Sequence, residues 1–207
     1  FTPTEMVSAH AAGADYVKVF PVRALGPDYV RDVLAPLRDL KLIAVGGVSP
    51  ENAADYVRAG LKSNIVCIPN ARTFTFESPA PLTGHQVLAA GRFSHQKGFD
   101  MLLRAWEKMD TEGWTLRIAG GGDIPGNLPA NVIAGPSEDM KKEYQDSSVF
   151  VLSSRYEGFG MVLVEAQAAG LPMVSFNCKC GPSEIITDGR NGFLTEIGDI
   201  NGFAEKV

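Results

Sequence analysis

Long apolar runs are missing from this 207-residue chain. None approaches the roughly 20 residues that a membrane-spanning helix needs, so no transmembrane segment is expected. Cysteine is scarce. Cys67 stands alone, and Cys178 and Cys180 form a C-x-C. Three cysteines cannot all pair, which excludes a closed disulfide framework, and the spacing is incomplete for a zinc site. The reading is three reduced thiols in a cytoplasmic protein, with peripheral attachment to the inner membrane face left open. Basic residues are in mild deficit, 19 against 24 acids for a formal net charge of −5. That argues against a generic nucleic-acid binder, which would show a basic face. His10, His85 and His95 stand apart, with neither triad nor metal spacing, and no Asp-x-Asp occurs. No repeat, low-complexity tract or signal peptide is visible. The chain opens on Phe1-Thr2 rather than Met, which leaves room for a preceding segment.

What is present is an ordinary globular composition, 45% hydrophobic and 21% charged, enough for one large domain or two small ones. Short β-branched runs alternate with amphipathic segments, the rhythm of an α/β fold with a mainly parallel sheet. Strands are expected at 16–20, 42–45, 64–68, 87–90, 115–119, 131–134, 149–153 and 173–176. Helices are expected at 4–12, 27–34, 50–59, 97–109, 137–146 and 160–169. Pro27 and Pro50 suit first helical turns, and Gly13, Gly60 and Gly170 suit helix ends. Residues 69–86 contain three prolines and little periodicity, and read as a loop or linker.

In the first 60 residues, Lys18 lies inside an apolar run between Val17 and Val19. Burial would lower its pKa and make the amine a nucleophile. Equally, an edge-strand lysine can extend its head to solvent. Gly46 and Gly47 follow a strand and precede a helix, where backbone amides can approach an anion. An ordinary strand–turn–helix corner has the same pattern. Taken together, residues 1–60 resemble a piece of the 2-keto-3-deoxy-6-phosphogluconate/galactonate aldolases, class I enzymes on a TIM barrel. The resemblance implies that Lys18 corresponds to the Schiff-base lysine and that Gly46 and Gly47 lie in the phosphate-binding region. It stops after Gly60, and a barrel cannot close from two or three strands.

The remainder carries a denser set of motifs. Arg92 follows an apolar strand and Lys97 opens the next helix, so both cations would project near the strand's carboxyl end beside a helix N-terminus, an arrangement suited to a diphosphate. They could equally be two exposed cations on a loop. Gly120, Gly121 and Gly122 after another strand permit close approach to a ligand, or make a flexible turn. A third strand leads into Glu157-Gly158-Phe159-Gly160-Met161-Val162, with Glu165 in the second turn of the helix that follows. Amides of Gly160 and Met161 would stand at that helix N-terminus, free for a phosphate oxygen. The plain alternative makes Glu157 a helix cap and Glu165 a solvated acid.

The succession GRFSHQKGFDMLLRAW, EGFGMVLVE and GPSEIITDGRNGFL, in this order and spacing, resembles the nucleotide-binding half of family 4 glycosyltransferases of GT-B architecture. EGFGMVLVE carries an E-x7-E pair. The resemblance implies that Arg92 and Lys97 contact the donor diphosphate and that Glu157 faces the donor sugar. It implies that amides around Gly160, Met161 and Val162 hold phosphate and sugar, and that Glu165 accepts from the nucleotide ribose. It further implies a retaining, metal-independent hexosyl transfer from a UDP-type sugar, with no cofactor beyond that substrate. The acceptor would be a glycan or lipid-linked glycan. An aldolase-like stretch stands where the acceptor-binding domain belongs, so no turnover is expected from this chain alone. The expected architecture is a Rossmann-like parallel sheet flanked by helices over 61–207, joined to a TIM-barrel-type βα fragment over 1–60. Schiff-base cleavage through Lys18 and non-catalytic nucleotide-diphosphate binding are the competing functions.

Overall fold

Thr2 opens the first helix, α1 (Pro3–Ala11), by reciprocal bonding. Its hydroxyl accepts from the Glu5 amide at 3.3 Å, and its own amide donates to the Glu5 carboxylate at 2.6 Å. The computed structural model describes residues 2–49, 51–61, 73–179 and 181–207, and divides into two compact units, Phe1–Pro69 and Asn70–Val207. After α1 the first unit contains β1 (Val17–Val19), a short 3-10 turn (Val22–Ala24), α2 (Gly26–Leu34), β2 (Leu42–Ala44) and α3 (Ala53–Arg58). β1 and β2 pair in parallel, Lys18 opposite Ile43, as a two-stranded sheet. Met6, Val19, Val30, Val33, Leu40 and Tyr56 form its core. Two strands among the described residues are a βα fragment and not a closed barrel. The strand expected at 64–68 falls outside the described residues. The helix expected from Pro50 starts three residues later, at Ala53.

The second unit is built on a six-stranded parallel sheet. Its strands are β3 (Gln86–Ala90), β4 (Thr115–Ala119), β5 (Val132–Gly135), β6 (Val149–Leu152), β7 (Met173–Phe176) and β8 (Gly192–Thr195), in the order β5-β4-β3-β6-β7-β8. The inner strands are apolar almost throughout because both faces are covered. Val87 and Ala89 face a core with Leu116, Ile118, Val151 and Val174, covered by Phe99, Leu102 and Trp106 of α4 (Phe99–Trp106) and Phe203 of α8 (Ile200–Lys206). Leu88 and Ala90 face the opposite core with Phe150, Leu152 and Met173. That side is covered by Tyr144 of α5 (Met140–Asp146) and Leu163, Ala166 and Ala169 of α6 (Met161–Ala169). A four-residue α7 (Pro182–Ile185) precedes β8. Among the described residues of the expected linker, 73–85 contain neither helix nor strand.

This strand order matters for function. The chain moves outward from β3 through β4 to β5, then returns to lay β6 on the other side of β3. Where the order reverses, the connections leave in opposite directions and open a crevice beyond the carboxyl ends of the two central strands. Residues 91–97 and 153–160 lie at that crevice.

Candidate functional site

The β3 end of the crevice is set by close backbone packing. The Gly91 amide donates to Ala119 O at 3.0 Å and the Phe93 amide to Gly121 O at 2.8 Å. A Cβ on Gly120 would overlap the Gly91 carbonyl, whereas one on Gly121 would meet nothing within 4 Å. Part of the glycine run is therefore consumed in bringing two loops together. Gly91 has φ +150°, and a Cβ there would stand 2.9 Å from Lys97 Cε, so the lysine stem lies across it.

Lys97 is not in the helix where the sequence placed it. Gly98, with φ +64°, separates a 3-10 turn (His95–Lys97) from α4. The break arises because any side chain at 98 would overlap the Ser153 carbonyl at the end of β6. The ammonium reaches Glu157 instead: Nζ to Oε1 is 2.7 Å, and Ser154 Oγ donates to the same oxygen at 2.6 Å. The two side chains are 18% and 8% exposed. Glu157 does not cap α6, whose N-cap is Gly160 and has no side-chain hydrogen bond.

The loops that carry Lys97 and Glu157 are stapled together. Ser153 Oγ donates to Lys97 O at 2.9 Å, the Arg155 amide to Gln96 O at 2.8 Å, and Gln96 Nε2 to Tyr156 O at 3.1 Å. The Arg155 guanidinium grips both carboxylate oxygens of Asp100, at 2.8 and 2.7 Å, and also donates to His95 O at 2.7 Å. The guanidinium holds the Asp100 carboxyl below its ordinary pKa, and the carboxylate in turn raises that of Arg155.

Gly160, at φ +88°, turns the chain into α6. The Met161 and Val162 amides stand in the first turn, where an α-helix offers no internal acceptor. One turn on, Glu165 is half-buried and accepts from the Tyr144 hydroxyl at 2.8 Å. It is thus not a solvated surface acid. Burial, followed by the neighbouring Glu165 charge, pushes the Tyr144 phenol up.

Of the sequence-selected residues, Lys97 and Glu157 meet directly, and Gly160, Met161, Val162 and Glu165 lie on the element that follows. Arg92 is exposed on the loop after β3, without a side-chain hydrogen bond or ion pair among the described residues. The other unit behaves differently. Lys18 is exposed on a three-residue strand, its ammonium 5.2 Å from the Phe20 ring centroid. The solvent-reaching alternative for this lysine is the one observed. Gly46 and Gly47 do not adjoin the helix start. A Cβ on Gly46 would stand 2.7 Å from the Phe20 ring, and one on Gly47 would overlap Arg23, so packing accounts for both glycines. Sequence reading missed Ser154, Arg155, Asp100 and Tyr144. Only tertiary contact marks them, although the serine and arginine lie three and two residues before Glu157. Among the described residues no group of His, Cys, Asp or Glu could hold a metal ion, and no helix is long and apolar enough to cross a membrane.

At the switch point a cation pairs with an acid, and the N-terminus of a nine-residue helix without a side-chain cap follows three residues on. Comparison with known proteins gives the chain a family. Residues 84–207 match the family model of Glycosyl transferases group 1, and residues 1–76 match that of KDPG and KHG aldolase. The amylovoran biosynthesis glycosyltransferase AmsD of Erwinia amylovora is 40% identical over 122 residues, covering 54% of this chain and 34% of its own length. A probable 2-dehydro-3-deoxy-6-phosphogalactonate aldolase of Rhizobium meliloti is 50% identical over 64 residues, covering 30% of each chain. The structure of Anabaena Alr3699/HepE in complex with UDP and glucose superposes with a TM-score of 0.69 at 19% identity, over 99% of this chain and 65% of that one. The chain spans less than half the length of the curated glycosyltransferases it matches. Through the match over residues 84–207, the larger part of its length, the chain belongs to the group 1 glycosyl transferases.

Proposed function

We propose that residues 70–207 bind the nucleotide-diphosphate part of a UDP-type sugar donor and form the donor side of a retaining, metal-independent hexosyltransferase. The observation that carries this reading is the Lys97–Glu157 pair at the switch point, three residues before the N-cap of α6. In this reading Lys97 and Arg92 neutralise the diphosphate, and the Met161 and Val162 amides beyond Gly160 donate to it. Glu157, kept in place by Ser154, faces the sugar. Glu165 accepts from the ribose. The charge that develops on the departing diphosphate is met by these fixed donors and the helix dipole. An arriving diphosphate offers Lys97 a second anion, which loosens its hold on Glu157 and leaves that carboxylate for the sugar. UDP is the natural probe, being the nucleotide bound in the Anabaena neighbour. The acceptor is proposed to be a glycan or lipid-linked glycan. Because residues 1–76 match an aldolase model, transfer to such an acceptor is not expected from this chain by itself.

A melting experiment tests the reading. UDP in excess is expected to raise the midpoint of the second unit by several degrees, and uridine, which lacks the diphosphate, to leave it nearly unchanged. Equal shifts from both, or none from UDP, contradict the proposal. Transfer of radiolabelled sugar by the purified chain would overturn the expectation that it binds without turnover.

A further inference from the structure

Tyr144 belongs to none of the motifs above, yet its hydroxyl has a specific target. The ring is fully buried on α5 and packed by Phe74, Phe76 and Phe150, with ring centroids 6.2, 6.3 and 5.7 Å away. Three aromatic neighbours leave it little freedom to rotate. Its oxygen therefore occupies a fixed point, 2.8 Å from Glu165 Oε2 and 3.4 Å from the Val162 carbonyl. A phenol has one proton to donate. The short contact to a charged acceptor is the stronger one, so the proton goes to Glu165. Among the described residues no hydrogen bond reaches the other carboxylate oxygen, Oε1.

We infer that Tyr144 is a positioning residue that sets selectivity for ribose over deoxyribose, by locking the Glu165 carboxylate in the one orientation that receives the ribose hydroxyls. The inference rests on the reading of Glu165 as the ribose acceptor. A carboxylate free to rotate would lose part of its advantage, since each rotamer then has to be ordered on binding. The phenol remains protonated throughout the neutral range, because burial and the adjacent carboxylate both oppose its ionisation.

The test compares UDP with deoxy-UDP, titrated into the full chain and into Tyr144→Phe. A hydrogen bond to a charged acceptor is expected to give the wild type a preference for UDP of about tenfold or more. Tyr144→Phe is expected to reduce that preference to about threefold or less, mainly by weakening UDP binding. A preference unchanged in Tyr144→Phe overturns the inference and leaves the nucleotide reading standing. If neither nucleotide binds the wild type, the nucleotide reading itself fails, which is a distinct result. A second arm, Glu165→Ala with and without Tyr144→Phe, separates positioning from simple packing. Without the carboxylate, loss of the hydroxyl should leave UDP affinity unchanged, and a further drop of severalfold would contradict a role exerted through Glu165. Should Tyr144→Phe fail to fold, the carbon-13 shift of the Tyr144 Cζ is read in the wild type instead: UDP is expected to move it more than deoxy-UDP does, and equal shifts overturn the inference.

Discussion

At Glu157 two donors converge on one carboxylate oxygen in a setting that excludes most water. Removing a partner from such a pair leaves a charge that burial penalises. Lys97→Ala is therefore expected to destabilise the second unit by about 3 kcal/mol. Lys97→Met combined with Glu157→Gln should recover much of that loss, since it removes both charges. Urea unfolding checks both. The three consecutive glycines after β4 give a sharper contrast. Gly120→Ala would drive a methyl into the Gly91 carbonyl and is expected to unfold the unit or render it insoluble. Gly121→Ala meets open space, and should lie between neutral and about 1 kcal/mol stabilising, because alanine restricts the unfolded chain. Equal tolerance at both positions would show that these two loops do not pack as described. Sequence alone drew attention to Arg92, Lys97, Glu157, Gly160 and Met161 through the glycines beside them, and to Glu165 through its spacing from Glu157. Tyr144 was invisible because its neighbours in Met140–Asp146 are mostly polar, and its burial comes from Phe74, Phe76 and Phe150, distant in sequence.

Among elements, the staple between the start of α4 and the loop after β6 decides how firmly the crevice is shaped. Asp100 titrates below its ordinary value because Arg155 donates to it. A depressed carboxyl contributes stability that is fully present above its unfolded pKa of about 3.9 and is lost as pH falls through the lower folded value. Asp100→Asn should accordingly be less stable than wild type at neutral pH, with the gap closing as pH drops below about 4. Stability curves recorded from neutral to acid pH decide this, and a constant gap would contradict it. Arg155→Ala is expected to weaken UDP binding severalfold although neither group of the staple is placed on the nucleotide. The inner strands were legible because burial on both faces leaves short unbroken apolar runs. Helix starts were less so. Close approach at Gly98, and the turn at Gly160, moved α4 and α6 past their expected first residues. β8 went unread because it begins on Gly192 within a glycine-rich turn, where Asp188 accepts from the Leu194 amide at 2.8 Å.

For the molecule as a whole, each unit has its own hydrophobic core, and the nucleotide reading uses residues of the second unit alone. A fragment of residues 73–207 is expected to fold and to bind UDP with the affinity of the full chain within about twofold, since every residue read as part of the site belongs to the second unit, which has its own core. A large loss of affinity would assign the first unit a part in the site. In the first 60 residues the resemblance to an aldolase was legible, but the surroundings of Lys18 were not: it is exposed on a three-residue strand, and exposure follows from neighbours that sequence does not name. The most direct test of the account is amide chemical-shift mapping of the full chain titrated with UDP. Saturable perturbations centred on Gly91, Arg92, Lys97, Glu157, Gly160, Met161 and Val162 are predicted. Perturbations centred instead on Lys18, Gly46 and Gly47, or none at saturating nucleotide, would contradict it.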